Sequence, residues 1–215
     1  SLVKGQLPEN PKVLEFASGN CQLAKRLKRY YKNIYVSDLS IQMLNSVVDY
    51  SSAKICCDMT QLPFKGKFDL IICAFDSINY LTSKIKIRKF FDEVRMLMDS
   101  DSIFTFDASM LSNSINNSKT SILKGKIKGA EYLQKSTFNA KTRIHKNEFV
   151  VKHSDGSVFH ETHVQKIYDF DYYFSEAEKA GLYVSECFES FTFKEAKYYN
   201  ERVQFILRKN ESNAI

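Results

Sequence analysis

The sequence predicts an α/β protein with a doubly wound, mostly parallel sheet, and three observations favour this class. Short apolar runs alternate with amphipathic stretches through the first half of the chain. Residues 68–75 are almost continuously apolar, as in a central parallel strand that is buried on both faces. Residues 127–168 instead alternate apolar and polar side chains around turn residues, which indicates antiparallel hairpins.

The first half is predicted to supply five strands and three helices. The helices are predicted at residues 21–31, after Ser40 and from about Ser83, because apolar side chains recur there at helical spacing. Ser40 is a plausible N-cap, and the helix that follows it carries Ile41, Leu44, Val47 and Val48 on one face. The strands are predicted at residues 12–16, 33–37, 53–57, 68–75 and 102–107.

The second half is predicted to hold an inserted sheet. Residues 112–120 are rich in Ser and Asn without periodicity, and a loop is expected there. Turn residues at 139–141 and 154–156, the second including Asp155-Gly156, divide the alternating region. Three antiparallel strands are therefore predicted near 128–138, 143–153 and 157–168, as an insertion at 125–168 within a single domain of residues 1–215.

After the insertion, the pattern of helix and strand resumes. A helix is predicted at residues 171–180, ending at Gly181. Residues 183–189 and 202–208 are predicted to form an antiparallel hairpin at the sheet edge.

Composition is that of a globular domain with a full core. The 215 residues are 44% hydrophobic and 26% charged, and no apolar run reaches the ~18–20 residues that would cross a bilayer. The first residues do not form a signal peptide, and the five cysteines contain no Cys-x-x-Cys pair. Free thiols, a cytoplasmic location and no metal site are expected. The net charge of +6 favours an anionic small-molecule acceptor but is too diffuse to indicate nucleic acid.

A turn rich in small residues follows the first strand. Glu15 ends the strand, Ala17 and Gly19 let the backbone approach a ligand, and a helix begins next. Gln22 occupies the third position of the dinucleotide fingerprint, so a nicotinamide enzyme is disfavoured. Because the carboxyl ends of parallel strands share one edge, Glu15, Asp38 and Asp58, which end strands one to three, are predicted to share one site.

The ordered set of motifs resembles the class I S-adenosylmethionine (SAM) methyltransferases. It is most similar to bacterial small-molecule members, which include the amino-sugar N-methyltransferases, and it covers residues 12–209. Cys21 departs from the third glycine of the family turn. The motifs are Val13-Leu14-Glu15-x-Ala17-x-Gly19, Val36-Ser37-Asp38-Leu39-Ser40-x-x-Met43-Leu44, Cys57-Asp58-Met59, Phe68-Asp69-Leu70-Ile71 through Asp76-Ser77-x-Asn79-Tyr80-Leu81, His163-Val164-Gln165-Lys166-Ile167-Tyr168 and Glu201-Arg202-Val203.

This resemblance implies a Rossmann-like fold, SAM as cofactor and S-adenosylhomocysteine as product. It places Phe75 and Asp76 beside the sulfonium and the incoming nucleophile. It also implies an N-terminal helix or two closing over SAM, whereas only about eleven residues precede the first strand here. The implied cofactor-binding residues are Glu15, Ala17 and Gly19 at the methionine end, Asp38 at the ribose, its neighbour Leu39, and Asp58 and Met59 at the adenine.

Two histidines of the insertion are candidates for the acceptor side. His160 and His163 lie three apart on a predicted strand, so they face opposite sides. The resemblance favours His163 for acceptor binding or proton transfer, with a purely structural role as the alternative.

Three functions stay open at this stage. The first is methyl transfer to nitrogen or oxygen of a small molecule by a protein that forms a homodimer. The second is an RNA or protein methyltransferase, suggested by the positive charge. The third is a catalytically inactive methyltransferase fold that binds a partner, suggested by Cys21 and the short N-terminal lead.

Overall fold

A computed structural model describes residues 3–46, 53–127 and 129–210 of the chain. Eleven strands are found in these residues: β1 Lys12–Phe16, β2 Asn33–Asp38, β3 Ala53–Cys56, β4 Leu70–Cys73, β5 Ile103–Ser109, β6 Ile122–Ile127, β7 Ala130–Asn139, β8 Ile144–Lys152, β9 Val158–Lys166, β10 Leu182–Glu189 and β11 Arg202–Lys209. The helices are α1 Gln22–Leu27, α2 Ile41–Asn45, α3 Lys84–Met96, α4 Leu111–Lys119 and α5 Phe170–Lys179, with short 3₁₀ helices at Lys4–Gln6 and Ser77–Tyr80.

The main sheet has seven strands in the order β10-β11-β5-β4-β1-β2-β3. Strands β1 to β5 are parallel, and β11 runs antiparallel between β5 and β10. This arrangement confirms the predicted doubly wound, mostly parallel sheet with an antiparallel edge hairpin. The strand order reverses between β1 and β4, and in such sheets ligands bind at the carboxyl ends of the strands beside this reversal.

Alternate side chains of the central strands enter two separate cores, one on each face of the sheet. Leu14, Ile71 and Phe104 pack in the core that contains the buried side of α3 and α5, and their neighbours Val13, Ile72 and Ile103 pack in the core of α1 and α2. Burial on both faces explains why these strands appear as continuous apolar runs. Helix α3 begins as predicted, because the Ser83 hydroxyl accepts a hydrogen bond from the Lys86 amide.

Two predicted boundaries in the first half differ from the structure, and part of a third element lies outside the described residues. Helix α1 ends at Leu27 and turns follow it, whereas residues 21–31 were expected to be helical. Strand β4 is shorter than the predicted 68–75, because Phe75 and Asp76 adopt left-handed backbone conformations that end the strand. Helix α2 buries Leu44, and the predicted face residues Val47 and Val48 lie outside the described residues.

The inserted sheet has four antiparallel strands in the order β6-β7-β8-β9, so the prediction of three strands is wrong. Strand β6 was missed because its sequence does not alternate regularly between polar and apolar residues and contains Gly125. The strand is almost wholly exposed, so burial does not select apolar side chains on one face. The predicted first strand began at Lys128, which lies outside the described residues.

Residues 111–119 form helix α4, so the predicted loop at 112–120 is also wrong. Amide side chains stabilise this helix in place of an apolar stripe: Asn113 donates to the Ser109 hydroxyl at 2.6 Å, and Asn116 donates to Glu201 at 2.6 Å. Among the described residues, no helix combines the length and apolar character needed to span a membrane.

Candidate active site

The turn between β1 and α1 is a tightly wound, small-residue cradle. Ala17, Gly19 and Cys21 all have left-handed backbone conformations, with φ of +48°, +52° and +58°. Such angles cost roughly 1 kcal/mol each for residues other than glycine. Two backbone hydrogen bonds hold the turn in this conformation: the Ser18 amide donates to the Ser37 carbonyl at 3.0 Å, and the Cys21 amide donates to the Ser18 carbonyl at 2.8 Å. Cys21 is accommodated as a fully buried side chain at the position of the third family glycine.

Asp38 connects the end of β2 to this turn. Its carboxylate accepts hydrogen bonds from the Gly19 amide at 2.7 Å and from the Ser40 amide at 2.8 Å, one on each oxygen. An ionised carboxylate has about four acceptor sites, so these two bonds leave capacity for two hydroxyl donors. The structure therefore brings together Gly19 and Asp38, two of the residues that the resemblance implied for cofactor binding.

Glu15 lies behind the turn and is almost fully buried, with 2% of its surface exposed. Burial raises the pKa of its carboxyl to about 8, a hydrogen bond from the Ala24 amide of α1 lowers it, and the charge of Asp38 raises it further. Its Oε2 atom has no hydrogen-bond partner among the described residues. A buried carboxyl oxygen without a partner, beside a turn of small residues, fits a ligand that carries a cationic or N–H donor, such as the methionine end of SAM.

Replacing Glu15 by glutamine is expected to stabilise the ligand-free protein at alkaline pH. Between the ordinary glutamate pKa of 4.5 and about 8, the folded chain keeps a proton on Glu15 that the unfolded chain has released, so stability falls as pH rises through this window. Urea unfolding at about pH 8.5 should show the variant more stable by up to about 5 kcal/mol, with the gain shrinking toward about pH 5. A gain that is equal at both pH values would contradict this origin.

The third predicted acid, Asp58, caps the loop after β3. Its Oδ1 atom accepts hydrogen bonds from the Thr60 amide at 2.8 Å and from the Thr60 hydroxyl at 2.9 Å. The next residue, Met59, is half-buried against the core, whereas Leu39 after β2 is 74% exposed. Asp58 thus caps this loop, and a role toward a cofactor stays a prediction.

The turn after β4 is held by a buried cluster of charges. Asp107 at the end of β5 accepts hydrogen bonds from the amides of Phe75 and Asp76, the latter at 2.9 Å. Arg202 of β11 lies between two carboxylates, with Nη1 3.0 Å from Asp107 Oδ2 and Nη2 3.0 Å from Asp76 Oδ2. These bonds maintain the left-handed angles of Phe75 and Asp76, +60° and +50°.

Asp76 is mostly buried within this cluster, and this burial raises its pKa to about 6 against the opposing effect of Arg202. The Gln165 side chain of β9 also hydrogen-bonds to it. Asp76 is therefore where the inserted sheet meets the main sheet. The roles of Asp107 and Arg202 were not predicted, although Arg202 was part of a family motif.

His163 of β9 faces the main domain and forms a chain with two other side chains. Its Nδ1 atom lies 2.6 Å from the Tyr80 hydroxyl, and its Nε2 atom lies 3.2 Å from Glu161 Oε1. Burial, followed by the charges of Asp76 and Glu161, raises the Tyr80 pKa to about 12, so the phenol is neutral. His160 is exposed on the other face of the same strand. No group of three or more His, Cys, Asp or Glu side chains within the described parts of the chain could hold a metal ion.

Asn79 is the fully buried link between the two sheets. Its side-chain amide donates to the carbonyls of Ser109 at 3.1 Å and Lys166 at 2.9 Å, and its oxygen accepts from the Ser109 amide at 2.8 Å. Tyr168 adds a hydrogen bond from its hydroxyl to the Leu81 carbonyl at 2.7 Å. These contacts fix the end of β9 over the carboxyl edge of β4 and β5.

Comparison with known proteins gives matches across almost the whole chain. Residues 13–101 match the protein family described as "Methyltransferase domain". The Putative methyltransferase YqeM of Bacillus subtilis (strain 168) is 24% identical over 219 residues, covering 98% of this chain and 89% of that protein.

Two solved structures show how closely the fold agrees. A SAM-dependent methyltransferase from Clostridium acetobutylicum ATCC 824 superposes with a TM-score of 0.82 at 21% identity, over 97% of this chain and 87% of the other. The sugar N-methyltransferase KedS8 from Streptoalloteichus sp. ATCC 53650 superposes with a TM-score of 0.75 at 14% identity, over 98% and 84%. These matches confirm the fold class predicted from the sequence.

Proposed function

We propose that this chain, which carries a methyltransferase domain with the fold of the class I SAM-dependent methyltransferases, methylates nitrogen or oxygen of a small-molecule acceptor. The observation that carries the proposal is the left-handed turn at the strand-order reversal, with Asp38 bonded to its Gly19 amide and Glu15 buried behind it. One structural neighbour, KedS8, is a sugar N-methyltransferase, which supports a small-molecule acceptor.

On this proposal, the residues at the turn bind the cofactor. Glu15, Ala17 and Gly19 contact its methionine end, and Asp38 accepts hydrogen bonds from its ribose hydroxyls. Asp58, Met59 and Leu39 enclose the adenine. SAM supplies an activated methyl group, so the protein's main contribution is to hold the acceptor in line and exclude water.

The chain of Tyr80, His163 and Glu161 is proposed to take the proton that the acceptor loses. The acceptor proton goes to the Tyr80 oxygen as the Tyr80 proton goes to His163 Nδ1, 2.6 Å away. The resulting imidazolium donates through Nε2 to the Glu161 carboxylate, which stabilises its charge. Asp76 and Phe75 shape the adjoining wall. A cytoplasmic location and a homodimer stay predictions, and the free thiols of the five cysteines suit a reducing compartment.

Methyl transfer from radiolabelled SAM to a panel of amines and alcohols tests this proposal. Tyr80→Phe removes only the hydroxyl and is expected to lower kcat at least about tenfold on any acceptor found, with the KM for SAM unchanged. Tyr183→Phe is the matched control, since Tyr183 lies on the edge strand β10. Binding of SAM without transfer to any acceptor would favour the inactive binding module, and an unchanged kcat in Tyr80→Phe would exclude the proton relay.

A further inference from the structure

The inserted sheet has two faces of very different chemistry. Its inner face is the one that carries Gln165 and His163, which contact Asp76 and Tyr80 of the main domain. Cross-strand pairing assigns the other members of this face. They are Leu123, Gly125 and Ile127 of β6, Ala130, Tyr132, Gln134, Ser136 and Phe138 of β7, His145, Asn147, Phe149 and Val151 of β8, and Phe159 and Glu161 of β9.

The charges of the sheet are segregated between these faces. Within the described strands, the inner face has no Lys or Arg, and Glu161 is its one carboxylate. The outer face holds the lysines of the four strands, which are Lys124, Lys126, Lys135, Lys146, Lys152 and Lys166. Glu131 and Glu148 lie on the outer face too, where they pair with Lys126 and Lys146. Within the described strands of this sheet, the lysines therefore all lie on the face that is turned away from the proposed methyl-transfer site.

An apolar pocket of about 610 Å³ lies on the inner face, a size suited to a small-molecule group. It is lined by Ile127, Ala130, Tyr132, Gln134, Phe149, Val151 and His153. The pocket lies next to the candidate active site, because the Phe149 ring that lines it packs edge-on against the His163 ring, with the ring centroids 5.3 Å apart.

Tyr132 is held in this pocket by the glycine opposite it. Gly125 and Tyr132 pair across β6 and β7, and a Cβ atom on Gly125 would lie only 2.6 Å from the Tyr132 ring. The ring therefore lies directly over the glycine backbone, where any larger residue would displace it. An aromatic wall is thus built into the sheet at a fixed place.

We propose that this pocket binds an apolar, ring-sized part of the methyl acceptor, and that this acceptor is neutral or cationic, not anionic. The inference rests on the proposed function, since it places the acceptor between Tyr80 and the inner face. His163 pairs with Asn147, and Phe149 and Val151 lie two and four residues further along β8. At about 3.4 Å per residue, the pocket residues lie about 7–14 Å along the sheet from His163, so the acceptor is expected to extend over a similar distance from its methylated end to its apolar ring.

Two fluorescent probes that share one ring system test both parts of the proposal. N-phenylnaphthylamine is uncharged, and anilinonaphthalene sulfonate adds an anionic group; each is titrated into the full chain with S-adenosylhomocysteine present. The uncharged probe is expected to bind at least about tenfold more tightly, because the described strand residues of the inner face include no Lys or Arg that could pair with a desolvated sulfonate. Equal or tighter binding of the sulfonate would overturn the charge assignment.

Neighbouring residues of β8 provide a matched pair of variants. Val151→Asp places a carboxylate in the pocket and should weaken the uncharged probe at least about tenfold, whereas Val150→Asp makes the same change on the outer face and should leave it unchanged. If both variants weaken binding of the uncharged probe equally, or neither does, the proposal that this pocket binds the probe is overturned. A change in oligomeric state confined to Val151→Asp would overturn it in favour of a second copy covering this face.

The same samples separate this inference from the proposed function. S-adenosylhomocysteine binding measured by calorimetry should be unchanged in Val151→Asp, because Val151 lies on the inserted sheet and not at the cofactor turn. If wild-type protein fails to bind S-adenosylhomocysteine but still binds the uncharged probe through Val151, the proposed function fails and the pocket remains. If wild-type protein binds S-adenosylhomocysteine but not the uncharged probe, the pocket proposal fails and the proposed function remains.

Discussion

Replacing Asp38 by alanine is expected to weaken S-adenosylhomocysteine binding by at least about 100-fold, because two charge-assisted hydrogen bonds to ribose are each worth about 1.5–3 kcal/mol. The change also removes the acceptor that holds the Gly19 amide at 2.7 Å and the Ser40 amide at 2.8 Å, so the left-handed turn loses its anchor. Calorimetric titration of the full chain measures the effect. Wild-type protein is expected to bind in the micromolar range.

Asp69→Ala is the control for this experiment. Asp69 also accepts a backbone hydrogen bond at 2.7 Å, from the Lys12 amide, but at the opposite end of β1. Its loss should reduce folding stability by about 1 kcal/mol and leave the affinity for S-adenosylhomocysteine unchanged. Equal loss of affinity in both variants would attribute the effect to general destabilisation, and retained affinity in Asp38→Ala would remove Asp38 from the cofactor site.

Replacing Arg202 by methionine is expected to lower the free energy of unfolding by about 3–5 kcal/mol at about pH 8, because two mostly buried carboxylates lose their cation. Asp76 and Asp107 then keep their neutral hydrogen-bond donors but have no cation to offset the cost of ionising in a desolvated site. Without Arg202 their pKa values rise further, so the folded state holds protons that the unfolded chain releases, and stability falls as pH increases. The deficit relative to wild type should therefore shrink at about pH 5, where both carboxyls take up protons.

Urea unfolding at both pH values checks this expectation, with Arg143→Met as the control. Arg143 pairs with Asp169, whose side chain is 74% exposed, so its replacement should cost less than about 1 kcal/mol at either pH. A deficit in Arg202→Met that does not depend on pH would indicate lost packing and not unpaired charge. Such a result would remove the electrostatic explanation for the turn at Phe75 and Asp76.

The main sheet was predictable because its strands are buried on both faces. Residues 70–73 and the strand residues beside them in β1 and β5 are so rich in apolar side chains that they can only be buried in the core. The alternation of strands and helices along the chain then predicts a parallel sheet. Strand β6 and helix α4 were not predictable by the same reasoning. Both are largely exposed, and α4 depends on amide hydrogen bonds such as that from Asn116 to Glu201, 85 residues away.

One part of the candidate site could likewise be predicted from the sequence, and the other part could not. The proximity of Gly19 and Asp38 follows from two parallel strands ending at one edge, and it could be predicted from spacing. The Arg202 cluster could not, because it joins Asp76 and Asp107 to a residue 126 and 95 positions away through an antiparallel strand. Likewise, the contact of His163 Nδ1 with the Tyr80 hydroxyl depends on how the inserted sheet docks, and periodicity carries no information on docking. The contact of Nε2 with Glu161 is local, since both residues lie on β9.

The position of β11 between β5 and β10 has a consequence for biosynthesis. Until residues 202–209 leave the ribosome, β5 has an open edge and β10 has no partner in the sheet, so a nascent chain exposes unpaired strands that are prone to aggregate. Arg202 arrives with the same strand, which means that Asp76 and Asp107 gain their cation only at that stage. Assembly of the candidate active site is thereby coupled to synthesis of β11, the last strand of the sheet along the chain.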